Sequence, residues 1–286
     1  MKTSADTRPP PTLRPAAESP SGRGTPGERW RRRLHGVWPP LIVLAILVGL
    51  WQWLVHLLHV DPEVLPPPSL VIRSTWHDRA NLWPAIVMTT KETVLGLLVA
   101  MALAFVAAIA IDWSRITRRS VYPLLVASQT LPIVALAPLV VIWFGFGLLP
   151  KIALVALFTF FAMAVGLVQG LASSDPDAMN LLRTMRASRL QLLLRVRLPS
   201  ALPQFFTGLK ISVTFAFVSA IVAEFVGAVQ GLGVYMTASK SAFRTDLVFG
   251  AVLVTALLTL GLFGIVAALE RVVMPWKRPV TRDHRW

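Results

Sequence analysis

From residue 39 onward, long uncharged runs alternate with short charged ones. Leu41 to Leu58, Thr93 to Ile111, Ser120 to Pro150, Ile152 to Ser174 and Leu247 to Leu269 contain no Asp, Glu, Lys or Arg. Leu198 to Ser239 contains only Lys210 and Glu224. A helix rises about 1.5 Å per residue, so about 20 apolar residues cross a hydrocarbon core of about 30 Å. The pattern predicts six spans, at about 39–58, 86–111, 121–144, 151–171, 204–227 and 247–270. One such run fits a buried helix of a soluble protein, but six in one chain do not. The fold class is therefore all-α and polytopic. Pro132 and Pro138 predict a kink in the third span. Gly166 with Gly170, and Gly227 with Gly231, are small-residue pairs four apart, a spacing that permits close helix packing.

Composition agrees with this. Hydrophobic residues make up 55% and charged residues 15% of 286, against about 25% charge in soluble domains. The net charge is +14, which in a soluble chain would suggest nucleic acid. Its distribution says otherwise. Segments 1–38, 112–120, 172–203 and 271–286 hold 21 Lys and Arg, whereas 59–84, 145–151 and 228–246 hold 5. That asymmetry fits the positive-inside rule with both termini cytoplasmic, and accounts for the basic balance without nucleic acid. Trp38, Trp83, Trp113, Trp143 and Trp276 stand near span ends, as an interfacial belt requires. Residues 1–35, rich in Pro, Gly, Ser and Arg, read as disordered rather than as a cleaved signal. Between the first two spans, Ser69 is a candidate N-cap for a short surface helix with Leu70, Ile72 and Trp76 as its apolar contacts.

Loop 172–203 has internal order. Asp175 before Pro176 reads as an N-cap with proline at the first helical position, and Asp177 suits the positive helix end. Arg183, Arg186 and Arg189 recur every three residues beside Leu182, Met185, Leu192 and Leu193, and Leu198-Pro199 closes the segment. The result is an amphipathic helix, a bend, and then a span. It is either a docking helix for a cytoplasmic partner or a connector at the lipid headgroups. Glu224, inside an apolar stretch, is costly there and needs a partner or a water-filled cavity. It is a candidate gate, a glutamate at the outer headgroup boundary, or one bonded to a neighbouring helix. Gln129, Thr130, Pro132, Thr214 and Ser219 are candidates for a polar translocation path or for helix-to-helix bonds. Lys210 is expected to snorkel to the interface. The chain has no Cys, no phosphate-binding G-x-x-x-x-G-K-[ST] and no H-E-x-x-H. Its five histidines show no ligand spacing, so no metal site and no catalytic residue are expected.

Asn180 to Pro199 resembles the EAA loop of permeases of ATP-binding-cassette (ABC) importers, matching it at Val196-Arg197-Leu198-Pro199. It departs from that loop at Asn180-Leu181-Leu182, and at Arg186 where the family carries glycine. Within Thr184-Met185-Arg186-Ala187-Ser188, arginine in place of glycine predicts a more regular helix or a different angle. Further matches are Val64 to Ser69, Gln129-Thr130-Leu131-Pro132, Ala137-Pro138-Leu139, Trp143 to Gly147, Ala223-Glu224-Phe225 with Gly231-Leu232-Gly233, Thr245-Asp246, and Leu269-Glu270-Arg271 with Pro275-Trp276. The resemblance covers 39–276 and points to the subgroup importing nitrate, sulfonates, taurine, bicarbonate, or thiamin-pyrimidine and riboflavin precursors.

The resemblance implies a type I importer permease bundle in a bacterial inner membrane. Its parts would be a cytoplasmic tail (1–38), the first span and outer loop (39–81), a core permease domain (82–271) and a second tail (272–286). The ATPase-coupling residues would be Asp177, Leu182, Arg183, Met185, Arg186, Ala187, Ser188, Arg189, Val196, Leu198 and Pro199. ATP and Mg would bind a partner ATPase, with no cofactor on this chain. Other partners would be an extracytoplasmic substrate-binding protein, a second permease copy and the lipid bilayer. Leu262-Phe263-Gly264, where sulfonate-type permeases tend to carry an acid, tilts the substrate toward a pyrimidine or riboflavin precursor. A nitrate, sulfonate or taurine permease is the near alternative. A stand-alone secondary transporter would need more intramembrane acids, and a membrane enzyme would need a cluster of His, Asp or Glu.

Overall fold

A computed structural model describes residues 26–113 and 115–276, apart from the side chains of 26–37, 115, 118 and 133. Among these residues every regular element is a helix. In chain order they are α1 (Pro26–Leu57), α2 (Pro68–His77), α3 (Arg79–Trp113), α4 (Arg115–Ser128), α5 (Ile133–Phe144) and α6 (Leu148–Ala172). Then come α7 (Pro176–Thr184), α8 (Arg189–Leu192), a π-helical turn (Leu193–Arg197), α9 (Leu198–Gly227), α10 (Leu232–Ser241) and α11 (Thr245–Val273). Two compact units meet between Trp51 and Gln52, within α1. The disorder expected for residues 1–35 falls outside the described residues up to 25. From Pro26 the chain is helical, with proline at the first helical position and Glu28 in the first turn, both helix-start signals.

Five helical stretches are long and apolar enough to cross a membrane: Trp38–Leu57, Arg79–Trp113, Leu148–Ala172, Arg189–Gly227 and Thr245–Val273. They correspond to five of the six expected spans. The third, 121–144, is not one kinked helix but two helices, α4 and α5, of 14 and 12 residues. At about 1.5 Å per residue neither alone crosses about 30 Å. Pro132 is the cause, because it lacks an N–H and disfavours helical geometry in the residue before it. The chain crosses the gap on tight turns, Gln129 N–H to Val126 O (3.2 Å) and Thr130 N–H to Ala127 O (3.1 Å). Pro132 then stands in extended geometry as the N-cap of α5, while Pro138 is accommodated inside it.

The core of the second unit lies where α6 packs against both α3 and α9. Ala100, Ala104, Ala108, Met163, Ala164, Val213 and Ala216 are almost wholly buried there. Small residues let the backbones close. A Cβ on Gly170 would sit 2.7 Å from Ala201 Cα, and one on Gly208 would sit 2.5 Å from Ala162 O. The Gly166–Gly170 pair therefore packs against α9 of the same chain. Gly227 and Gly231 do not form such a pair, because Gly227 ends α9 and Gly231 caps α10. The exterior of α3 and α11 is apolar and exposed, as at Leu103, Val106, Leu257 and Leu260, which suits lipid or another apolar surface. All five belt tryptophans are more than half exposed.

The short helix after the first span forms two residues earlier than expected. Pro67 is the N-cap of α2 and Pro68 opens it, so Ser69 is inside the helix. Instead of capping, Ser69 bonds Gln52. Its N–H donates to Gln52 Oε1 (3.1 Å), and Gln52 Nε2 donates to its Oγ (3.1 Å). Val71 is buried while Ile72 and Trp76 stay exposed.

Candidate functional site

Loop 173–197 begins as its sequence dictates. Asp175 Oδ1 accepts from the Asp177 N–H (2.9 Å), and Pro176 opens α7. The end of α7 differs from expectation. Arg186 adopts left-handed geometry, with φ of +56°. The Arg186 N–H donates to Arg183 O (2.9 Å) and the Ala187 N–H to Leu182 O (3.0 Å), the two bonds of a Schellman C-cap. The turn that glycine would permit is thus present with arginine in its place, and no continuous helix runs through residue 186. The chain restarts at once. Ser188 Oγ accepts from the Gln191 N–H and Gln191 Oε1 from the Ser188 N–H, a reciprocal capping box for α8. Helix α8 then runs through the π turn straight into α9.

Asp177, Arg183, Met185, Arg186, Ser188 and Arg189 are exposed on this loop, while Leu182, Ala187, Val196, Leu198 and Pro199 are half-buried. Met185, at 70% exposure, stands with Leu181, Leu190 and Leu194 as an exposed apolar set. Such a surface, interleaved with guanidinium groups, suits a protein partner. A cleft of about 500 Å³ separates α7 and α8 from the last turns of α3, lined by Ile109, Trp113, Met179, Arg183, Arg189 and Leu190 among others. Arg197 crosses to α3. Its Nη2 donates to Asp112 Oδ1 (2.6 Å) and to Leu171 O (3.3 Å), and its Nη1 bonds Asp112 Oδ2.

A second cavity, of about 330 Å³, brings together Gln129 and Ser219 from the candidate path residues. Gln129 sits at the α4–α5 break that Pro132 creates. Ser128 lies beside it, and Phe158, Phe161 and Phe215 supply aromatic walls from α6 and α9. No lining residue is charged. The hydroxyls of Ser128 and Ser219 bond carbonyls of their own helices, leaving acceptor capacity free. Thr130 and Thr214 do not line this cavity and bond Ala127 O and Lys210 O.

Glu224 lies elsewhere. It is 2% exposed, near the end of the bundle formed by α10 and the start of α3. Its Oε1 accepts from Thr89 Oγ1 (2.6 Å) and its Oε2 from the Gly233 N–H (2.5 Å). Thr89 Oγ1 also accepts from the Leu232 N–H (2.8 Å). Glu224 and Thr89 thus satisfy the first amides of α10, which no residue of α10 can reach. Gly231, at φ +143°, allows this approach, since a Cβ there would fall 2.1 Å from Glu224 Oε1. Next to Glu224, Glu92 forms a buried ion pair with Lys151 (2.6 Å). Sequence reading missed this pair because Lys151 stands at the edge of an apolar run and looks like a loop charge. Lys210, expected to reach toward an interface, has a protein partner. It pairs with Glu270 of α11, with its ammonium 6.0 Å from the Phe263 ring centre. Outside the spans, Tyr235 of α10 donates to Asp78 Oδ2 (2.5 Å). Burial, and then the Asp78 carboxylate, push its phenol pKa upward.

Known proteins resemble this chain over most of its length. Residues 93–276 match the family described as the binding-protein-dependent transport system inner membrane component. The formylaminopyrimidine transport permease protein ThiX of Halalkalibacterium halodurans is 33% identical, over 86% of this chain and 99% of that protein. The riboflavin transport system permease protein RibX of Chloroflexus aurantiacus is 32% identical, over 90% and 97%. The taurine transport system permease protein TauC of Escherichia coli K12 is 30% identical, over 86% and 94%. Among solved structures, an inward-facing MetNI methionine ABC transporter has the same fold, with a TM-score of 0.55 at 16% identity over 70% of this chain and 98% of that one. The chain is a multi-pass membrane protein and belongs to the binding-protein-dependent transport system inner membrane component family, the permeases of ABC importers.

Proposed function

We propose that this permease passes a small, uncharged, flat heteroaromatic solute, of the pyrimidine or riboflavin-precursor kind, through the cavity at the α4–α5 break. The observation that carries this reading is the cavity lining, which has three phenylalanines, an amide and two hydroxyls, but no charge. Aromatic walls contribute by stacking on a flat ring, and a few polar groups set its orientation. A sulfonate or nitrate buried there would lack a cation, which is costly. ThiX and RibX, named for a formylaminopyrimidine and for riboflavin, support the same class. TauC, named for taurine, keeps a sulfonate as the second reading.

The rest of the machine follows the family. ATP is bound and hydrolysed by a separate ATPase subunit, onto which the exposed face of α7 and α8 docks. Two permease copies form the pathway. A binding protein delivers solute at the opposite end, against loops 59–84 and 228–246. Both termini face the ATPase side, where 21 of 28 Lys and Arg gather. Solute moves by alternating access, through differential affinity for the two states.

The test is ATP-driven uptake into proteoliposomes carrying the permease–ATPase complex and its binding protein. Labelled formylaminopyrimidine, riboflavin and taurine are compared. Uptake of a heteroaromatic, abolished by Ala162→Trp in the cavity wall with ATP hydrolysis retained, is the expected result. Taurine uptake alone, or uptake indifferent to Ala162→Trp, contradicts the assignment.

A further inference from the structure

Motion that starts at α7 and α8 reaches the spans by unequal routes. Helix α9 is continuous with α8 through the π turn, so it must follow. Helix α6 joins α7 through Ser173, Ser174 and Asp175, with the two serines bonded back to Gly170 O and Leu171 O. Helix α3 has no such sequence link, and the cleft of about 500 Å³ stands between its last turns and the loop. Among the described residues, the hydrogen bonds that join α3 to residues 173–197 are those of Arg197 to Asp112.

The geometry of that contact suits the transfer of displacement. The guanidinium engages both carboxylate oxygens in a fork and also reaches Leu171 O at the end of α6. Two parallel charge-assisted bonds fix orientation as well as distance, which a single lysine ammonium cannot do. The side chains are 23% and 13% exposed, so water competes little. The π turn places Arg197 where the coupling segment becomes span α9, and π-helical turns recur at functional positions. Helix α3 ends at Trp113 and α4 begins at Arg115; α4 ends at Ser128 of the cavity wall, with Gln129 next in the chain.

We propose that Arg197 and Asp112 are positioning residues. Their ion pair, with Leu171 O, delivers displacement of the α7–α8 loop to α3 and so to the α4–α5 break, and without it ATP hydrolysis proceeds while α3 stays still. This rests on the reading of α7 and α8 as the ATPase contact.

The test uses the permease–ATPase complex in proteoliposomes. The chain contains no Cys, so Val106→Cys on α3 and Leu260→Cys on α11, both exposed, can be spin-labelled selectively. The distance between labels is measured without nucleotide and with ATP and vanadate. Docking is followed separately, by a photo-crosslinker on Met185→Cys. In the parent the distance distribution should shift with ATP. With Asp112→Asn or Arg197→Lys the shift should fall at least threefold, while the hydrolysis rate stays within twofold. The exchange Asp112→Arg with Arg197→Asp should recover at least half of it.

An undiminished shift in both single variants overturns the linkage, as does a parent without any shift. If hydrolysis and shift are lost together, with less folded complex, the pair is merely structural and the proposal falls. Absence of a Met185 adduct with the ATPase overturns the docking reading and the linkage with it. An adduct with an unchanged shift overturns the linkage alone.

Discussion

Removing Lys151 should unfold this protein far more readily than removing the Glu92–Lys151 pair together. Glu92 is fully buried and the Lys151 side chain 5% exposed, with Nζ 2.6 Å from Oε1. At an effective dielectric near 20 their attraction is about 6 kcal/mol, but desolvation costs several kcal/mol per ion, so the intact pair contributes little net stability. Lys151→Met leaves Glu92 and the adjacent Glu224 without their shared cation, and breaking a buried pair costs about 3–5 kcal/mol. Glu92→Gln should cost less, because Glu224 still acts electrostatically on Lys151. The double variant Glu92→Leu with Lys151→Met should lie within about 1–2 kcal/mol of the parent. Stability is read from reversible SDS unfolding in mixed micelles, followed by fluorescence of the ten tryptophans. A double variant as unstable as the sum of the two singles would refute the reasoning, as would a Lys151→Met cost under about 1 kcal/mol.

Arg186→Gly should relieve the left-handed strain at φ +56° by about 1 kcal/mol. Limited proteolysis at 185–188 should slow about fivefold, whereas Arg186→Ala should not slow it, and equal rates for the two would contradict the Schellman turn. Gly231→Ala, with its Cβ driven into Glu224, should destabilise by at least about 2 kcal/mol on the same SDS scale. Little or no loss would show that Glu224 does not hold α10 as described. The Tyr235 phenol pKa is raised, so its contribution is fully present below the unfolded tyrosine value of about 10 and is lost as pH climbs through the folded value. Absorbance titration of the parent minus Tyr235→Phe should place its midpoint well above 10, and a midpoint at or below 10 would contradict the Asp78 contact.

What the sequence made legible follows from where each signal is local. Charge-free runs mark spans because lipid forbids unpaired polar groups, and four of the five became single long helices, as did the run that holds Lys210 and Glu224. Asp175-Pro176 marks the start of α7 because a cap and an N1 proline act within a few residues. At 129–132 a proline in an apolar run reads equally as a kink or a break, and only the turn bonds of Gln129 and Thr130 with extended Pro132 distinguish the two. At Arg186 the residue type alone argues against a left-handed turn, which is stabilised by the bonds of the Arg186 and Ala187 amides to Arg183 O and Leu182 O. Glu224 stood out as an acid in an apolar run, but Thr89 lies 135 positions away, and Glu92 and Lys151 are 59 apart. Asp112 and Arg197 are 85 positions apart, and neither carries a local signal of the other. Partners this remote leave no periodic trace in a single sequence.

The most direct test of the central claim is mild-detergent purification of the tagged protein from its native membranes, with mass spectrometry of what accompanies it. A nucleotide-binding ATPase subunit in near-equal amount is expected. It should be lost when Arg183, Met185 and Leu190 on the exposed face of α7 and α8 are replaced together, while the permease itself remains folded. If no ATPase accompanies it even after cross-linking, and transport follows an ion gradient instead, the account of this chain as the ATP-coupled permease is contradicted.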